Sequence, residues 1–169
     1  KILKKSEWNL IIKQLDLWMK PESNSYYDAF NWGYKDMMPV IFAEKYLDID
    51  SVHDEYKIFC FNGKAEFSLI EHFDKNGIHT RACIDTKGNA LKFTFGKQNK
   101  TKYLLSRRYE EMLMLAGKLS KPFPFVRVDF IETKKELGEM TFYSGGGFSK
   151  IYPSKYDKEI GELLDIKNI

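Results

Sequence analysis

Apolar positions along the chain change period several times, and each change marks an element. Trp8, Ile11, Ile12, Leu15 and Trp18 recur at helical spacing, Ser6 precedes them as a candidate N-cap, and Pro21 follows the last turn. An amphipathic helix is predicted. Residues 22–35 are polar and aromatic without a clear period, and Asn24, Ser25, Asn31 and Gly33 offer turns, so loop with one short helical turn is expected. Residues 38–44 form a short apolar run that predicts a buried strand.

Two strand-like runs, 56–61 and 65–70, then flank Asn62-Gly63-Lys64, and Asn-Gly in that position is a strong hairpin signal. Residues 78–84 and 90–95 flank Thr86-Lys87-Gly88-Asn89 and predict a second hairpin. In residues 106–119 a stripe of Tyr109, Met112, Leu113, Leu115, Ala116 and Leu119 returns to helical period, and Pro122 ends it. Residues 123–131 and 137–142 read as strands around a polar turn, a Ser144-Gly145-Gly146-Gly147 run follows, and Ser154 opens a last helix reaching Leu164. The order predicts an α+β fold, a mostly antiparallel sheet with helices packed on one face.

Composition narrows the classes. A chain of 169 residues with 43% hydrophobic side chains can build one domain core, and 15% aromatic residues favour heavy strands. Charges interrupt every apolar segment, so no membrane span is expected. Lys and Arg number 27 against 24 Asp and Glu, with the signs interspersed, which argues against a nucleic-acid partner. Cys60 and Cys83 lie in apolar runs and are expected as buried thiols, which places the protein in the cytoplasm.

Chemistry concentrates late in the chain. Strand alternation puts Arg127 and Asp129 on one face and Val126, Val128 and Phe130 on the other, while Glu139 and Thr141 alternate with Met140 and Phe142. Should the two strands pair, two carboxylates and a hydroxyl share a surface with an arginine, a donor set suited to magnesium and phosphate. The same pattern also describes an amphipathic hairpin whose polar face is merely wet. Lys57 alternates away from Tyr56 and Ile58, and Arg81 is placed to grip a substrate carboxylate with its guanidinium fork. Gly145 and Gly146 let backbone approach a phosphate or substrate, or serve only as a turn. His53, His72 and His79 have no partners at metal-ligand spacing, and no activated nucleophile is evident.

The order of these motifs resembles the ATP-grasp superfamily, and within it the TupA-like branch associated with teichuronopeptide and other cell-surface polysaccharide, capsule or cell-wall biosynthesis. Ile41-Phe42-Ala43-Glu44-Lys45-Tyr46-Leu47 is similar to the family's hinge, residues 54–64 to the strand and turn after it, and Val126–Phe130 with Leu137–Thr141 to its metal-binding strands. The strings Phe123-Pro124-Phe125-Val126-Arg127-Val128-Asp129 and Gly138-Glu139-Met140-Thr141-Phe142-Tyr143 carry the likeness to the branch. The resemblance implies ATP and Mg2+ as cofactors. It implies Asp129 and Glu139 as metal ligands and Arg127 and Lys57 as catalytic cations. Glu44, Lys45, Tyr46, Leu47 and Thr141 would contact the nucleotide, and Arg81, Gly145 and Gly146 the substrate. The implied reaction is ligation of a carboxylate, on a small molecule or saccharide, to an amine through an acyl phosphate.

Two positions depart from the wider superfamily: Thr141 stands where asparagine is common, and Ser144 where the branch tends to have proline. The phosphate-binding lysine and glycine-rich lid of an N-terminal subdomain have no counterpart, so residues 1–36 are expected to be the tail of that subdomain, with the rest upstream. Residues 37–169 are expected to form the C-terminal subdomain. Two rival readings remain from residue types alone: a magnesium-dependent glycosyltransferase, and a non-catalytic carbohydrate-binding module using Tyr26, Tyr27, Phe30, Trp32 and Tyr34.

Overall fold

The structure, a computed structural model, describes residues 4–23, 31–44, 53–76, 79–96, 103–132 and 136–166. The chain divides into two compact units, Lys1–Leu47 with Gly145–Gly147, and Asp48–Ser144 with Phe148–Ile169.

In the first unit, helix α1 spans Trp8–Trp18 as its apolar spacing predicts. Ser6 does not cap it. It falls inside a 3-10 turn, Lys5–Glu7, whose entry is closed by the Glu7 carboxylate accepting from the Lys4 N–H at 2.9 Å. None of the α1 residues is buried. In the segment expected as loop with a short helical turn, the described residues hold 3-10 turns at Pro21–Ser23 and Trp32–Tyr34. Residues 38–44 differ from the expectation, since they carry no regular structure and Met38, Val40 and Phe42 are exposed. An apolar run becomes a strand only when a neighbouring edge accepts its hydrogen bonds, and among the described residues no strand pairs with this one.

The second unit is built on a five-stranded antiparallel sheet in the order β3-β2-β1-β5-β6, with β1 His53–Phe61, β2 Lys64–Phe73, β3 His79–Asp85, β5 Phe125–Ile131 and β6 Glu136–Thr141. The β1–β2 hairpin turns on Asn62 (φ 50°) and Gly63 (φ 77°), the doubly left-handed turn that asparagine and glycine tolerate and that matches strand twist. The second hairpin forms only at its base. Leu91 N–H bonds Cys83 O at 2.8 Å and Ile84 bridges Ala90, but the next residues leave the sheet. They form β4, Thr94–Phe95, which pairs with β7, Ile151–Tyr152, in a separate two-stranded sheet.

Period-2 alternation sorts β1 into two cores. Tyr56, Ile58 and Cys60 face helix α2, Tyr109–Ser120, which buries Tyr109, Met112, Ala116 and Ser120 at three- and four-residue spacing against them and Val126, Val128 and Phe130. Each of the large apolar side chains among them, such as Ile58, Met112 and Val128, contributes about 1.5–3 kcal/mol when taken fully from water. Phe59 and Phe61 face the opposite way, into an aromatic cluster with Phe67, Leu69, Cys83, Phe93 and Ile151. Helix α3, Lys155–Gly161, packs Tyr156 and Ile160 there, so the α+β arrangement carries a helix on each face of the sheet. Both cysteines are buried free thiols. Among the described residues, no helix is long and apolar enough to cross a membrane.

Candidate functional site

The sheet face that carries the aromatic cluster is apolar along only part of its length. Beyond Phe59 it becomes a band of charge running across every strand: Arg81 and His79 on β3, Glu71 on β2, Glu55 and Lys57 on β1, Arg127 and Asp129 on β5, Glu139 and Thr141 on β6. Register puts them side by side. Glu71 is opposite Arg81 and Glu55, Lys57 opposite Asp129, Asp129 opposite Glu139, and Arg127 opposite Thr141.

The β5–β6 pairing holds a bulge at Gly138, because Asp129 pairs with Glu139 but the next β5 residue, Phe130, pairs with Leu137. A Cβ at position 138 would come within 3.2 Å of Asp129 O, tighter than backbone readily accommodates. Glycine therefore allows the close approach that sets Glu139 directly across from Asp129. That glycine is the signal in the sequence for this geometry, and periodicity alone passes over it.

Arg127 sits at the centre of the β5–β6 end. Its Nε and Nη2 donate to the two oxygens of Asp129 at 2.8 and 2.7 Å, a bidentate pair. Nη2 also reaches Glu139 Oε1 at 3.1 Å and Thr141 Oγ1 at 3.0 Å, and Nη1 donates to Ser144 Oγ at 2.9 Å. Thr141 in turn donates to Glu139 Oε1 at 2.9 Å. Asp129 is only 5% exposed. Burial pushes its carboxyl above the usual aspartate value, and the charges of Arg127 and Lys57 pull it back only in part. For Arg127 burial works against the charge, but the hydrogen bonds and charge of Asp129 outweigh it.

Lys57 links this end to the other. Its Nζ lies 3.0 Å from Glu55, 3.1 Å from Glu71 and 3.6 Å from Asp129. Burial alone would lower the ammonium, yet these three carboxylates hold it above the ordinary lysine value. Glu71, also 5% exposed, is raised by burial but lowered further by Lys57, Arg81 and His79, so its net shift is downward. Arg81 Nε approaches Glu71 Oε1 at 2.7 Å and His79 Nε2 approaches it at 3.4 Å.

Three oxygens, from Asp129, Glu139 and Thr141, thus converge on the single nitrogen Nη2 of Arg127. An all-oxygen donor set containing two carboxylates, one of them on the exposed Glu139 side chain, is of the kind magnesium takes, and the Arg127 guanidinium lies among these oxygens. Among the described residues no group of three or more His, Cys, Asp or Glu is arranged to hold a metal.

Of the residues singled out from the sequence, Lys57, Arg81, Arg127, Asp129, Glu139 and Thr141 share this band. Glu44 is an exposed residue of the first unit, and Lys45, Tyr46 and Leu47 lie outside the described residues, as do Tyr26, Tyr27 and Phe30. Gly145 and Gly146 fall in a 3-10 turn with φ 59° and 64°. Glu71 and Glu55 carry no motif signal, and Ser144 stands out in the sequence only as a loop residue before the glycines. A glutamate on a strand reads as a wet side chain until the register shows which cations face it.

The model of one protein family, described as TupA-like ATPgrasp, matches residues 2–165. No curated protein and no solved structure matches the chain significantly.

Proposed function

The chain belongs to the TupA-like ATP-grasp family, and from that membership and its charged sheet face we propose an ATP- and Mg2+-dependent ligase joining a carboxylate to an amine in cell-surface polysaccharide or teichuronopeptide assembly. Residues 37–169 serve as the C-terminal ATP-grasp subdomain and residues 1–36 lead into it. The supporting observation is the convergence of Asp129, Glu139 and Thr141 oxygens on one cationic nitrogen.

Bound ATP would supply the phosphoryl group that activates a substrate carboxylate, as an acyl phosphate, for attack by an amine with release of phosphate, and magnesium held by Asp129 and Glu139 would supply positive charge against the phosphate oxygens. The chain's own residues set the field for this. Asp129 and Glu139 hold the ion, with Thr141 beside them. Lys57, held by its three carboxylates, would supply fixed positive charge toward the transferring group, and Arg127 would add its charge once the ion has taken its place between Asp129 and Glu139. Glu55 and Glu71 hold the Lys57 ammonium in place along the face. Arg81 receives the substrate carboxylate, Glu44 with the backbone of Lys45, Tyr46 and Leu47 reads the nucleotide base, and Gly145 and Gly146 border the substrate.

The test is substitution in the full-length enzyme. Asp129→Asn and Glu139→Gln abolish ATP turnover while circular dichroism stays at the wild-type signal. Near-normal turnover in both variants overturns the reading.

A further inference from the structure

The small β4–β7 sheet has an inner and an outer face. Phe93, Phe95 and Ile151 point inward to the aromatic cluster. Thr94 and Tyr152, which pair across the ladder, therefore point outward, as does Lys150, whose carbonyl accepts from Gly96 N–H at 3.0 Å and extends the pairing by one step. Lys92, two residues before Thr94, falls on the same side and is exposed. This outer surface lines an open groove of about 940 Å3 formed by Leu91–Thr94, Gly96, Phe148, Lys150, Tyr152 and Pro153, within the range that ligand sites occupy.

Two properties of the lining point to a ligand. Although Lys92 also borders a neighbouring pocket that contains Glu66 and Glu159, the lining holds, among the described residues, two lysines and no Asp or Glu. It also presents exposed rings, Phe148 at 75% and Tyr152 at 49% exposure. Aromatic faces beside two ammonium groups suit a ligand with apolar C–H faces and negative charge. Among the described residues the groove's lining has no arginine, the usual fork for phosphate. At one end Gly96 brings the groove toward the band, since a Cβ at that position would lie 3.9 Å from Arg81 Nη1.

We propose that the Lys92–Lys150–Tyr152 groove binds an acidic saccharide chain, with pyranose faces against Tyr152 and Phe148 and carboxylates against the two lysines. Where the ligase reading holds, this is the acceptor track leading to Arg81, so the assignment of the ligand as acceptor rests on that reading; the binding site itself does not.

The experiment is calorimetric titration of the full chain, without nucleotide or magnesium, using tetragalacturonate and, as the neutral counterpart, maltotetraose. Tetragalacturonate binds at least about tenfold more tightly, and added salt weakens it. The Lys92→Gln/Lys150→Gln double variant loses about tenfold in affinity for the acid alone, whereas Tyr152→Ala weakens binding of both sugars. All three side chains are exposed, and salt dependence in the wild type tests the claim without any variant. Equal affinity for the two sugars, no binding of either, or an unchanged double variant overturns the proposal. The same titration on Asp129→Asn/Glu139→Gln separates the two claims, because groove binding survives there while turnover is lost. Turnover that persists in that variant sinks the ligase reading and leaves the groove standing.

Discussion

Replacing Arg127 by methionine isolates the electrostatics of the β5–β6 site. The guanidinium makes two bonds to Asp129 and one each to Glu139, Thr141 and Ser144. The Glu139 contact is worth little, since that side chain is 63% exposed and solvent screens it. The Asp129 pair dominates, with side chains 13% and 8% exposed. Removing one partner of a buried pair costs about 3–5 kcal/mol, and Lys57 at 3.6 Å from Asp129 retains part of the compensation. A loss near the bottom of that range, about 3 kcal/mol, lowers Tm by roughly 6–12 °C in a chain of this size. Magnesium reverses it in the variant, because the ion takes the vacated position: at about 100 times its Kd it restores about 2.7 kcal/mol. In the wild type the ion must first displace the guanidinium, so the same Mg2+ concentration raises Tm less. Differential scanning fluorimetry across a Mg2+ series, with Ca2+ and high NaCl as controls, reads both effects. Equal Mg2+ stabilisation of the two proteins, or an Arg127→Met variant as stable as wild type without metal, refutes the reasoning.

Three further outcomes follow from the same structure. Glu71→Gln leaves Lys57 and Arg81 without a shared acceptor charge and costs about 1–3 kcal/mol at pH 7. Because the folded pKa of Glu71 is lowered, its contribution is present above the unfolded carboxylate value of about 4.3 and fades as pH falls through the lower folded value, so the gap between urea titrations of variant and wild type narrows as pH falls below the unfolded value. A gap that stays constant from pH 7 to 3 contradicts this. Gly63→Ala places a side chain at φ 77° and its Cβ 3.1 Å from Lys121 Cα, costing about 1–2 kcal/mol in chemical denaturation; a neutral effect argues against the turn. Burial pushes the Cys83 thiol up to about 12 and raises Cys60 as well, so both resist iodoacetamide at pH 8 and label only as fast as the protein unfolds.

Local pattern decided much of this protein. Helices α1 and α2, the Asn62-Gly63 turn, and the two strands carrying Arg127, Asp129, Glu139 and Thr141 follow from apolar period, turn chemistry and breakers, which act over a few residues and are written directly in the chain. Part of the family likeness was legible for the same reason, since the strings at 123–129 and 138–143 lie on or beside those two strands, and the family model matches residues 2–165. Residues 38–44 show the limit: an apolar run has the composition of a strand whether or not a partner edge exists. Residues 90–95 show it again, because the turn at Gly88 was foreseeable but the exchange of partner from β3 to β7 depends on a segment some sixty residues later, by about one strand's reach of the two-stranded sheet.

Only the tertiary structure could assemble the charged band and the groove. Alternation assigns Lys57, Glu71 and Arg81 to faces of their own strands, but which carboxylate meets which cation is set by inter-strand register, including the one-residue shift at Gly138. Register in turn is fixed by packing of both cores, a property of the whole sheet. The lysines of the groove carry the same lesson: Lys92 and Lys150 are unremarkable in sequence, and they share a surface because two distant strands bury Phe95 and Ile151 together and leave the other face to solvent.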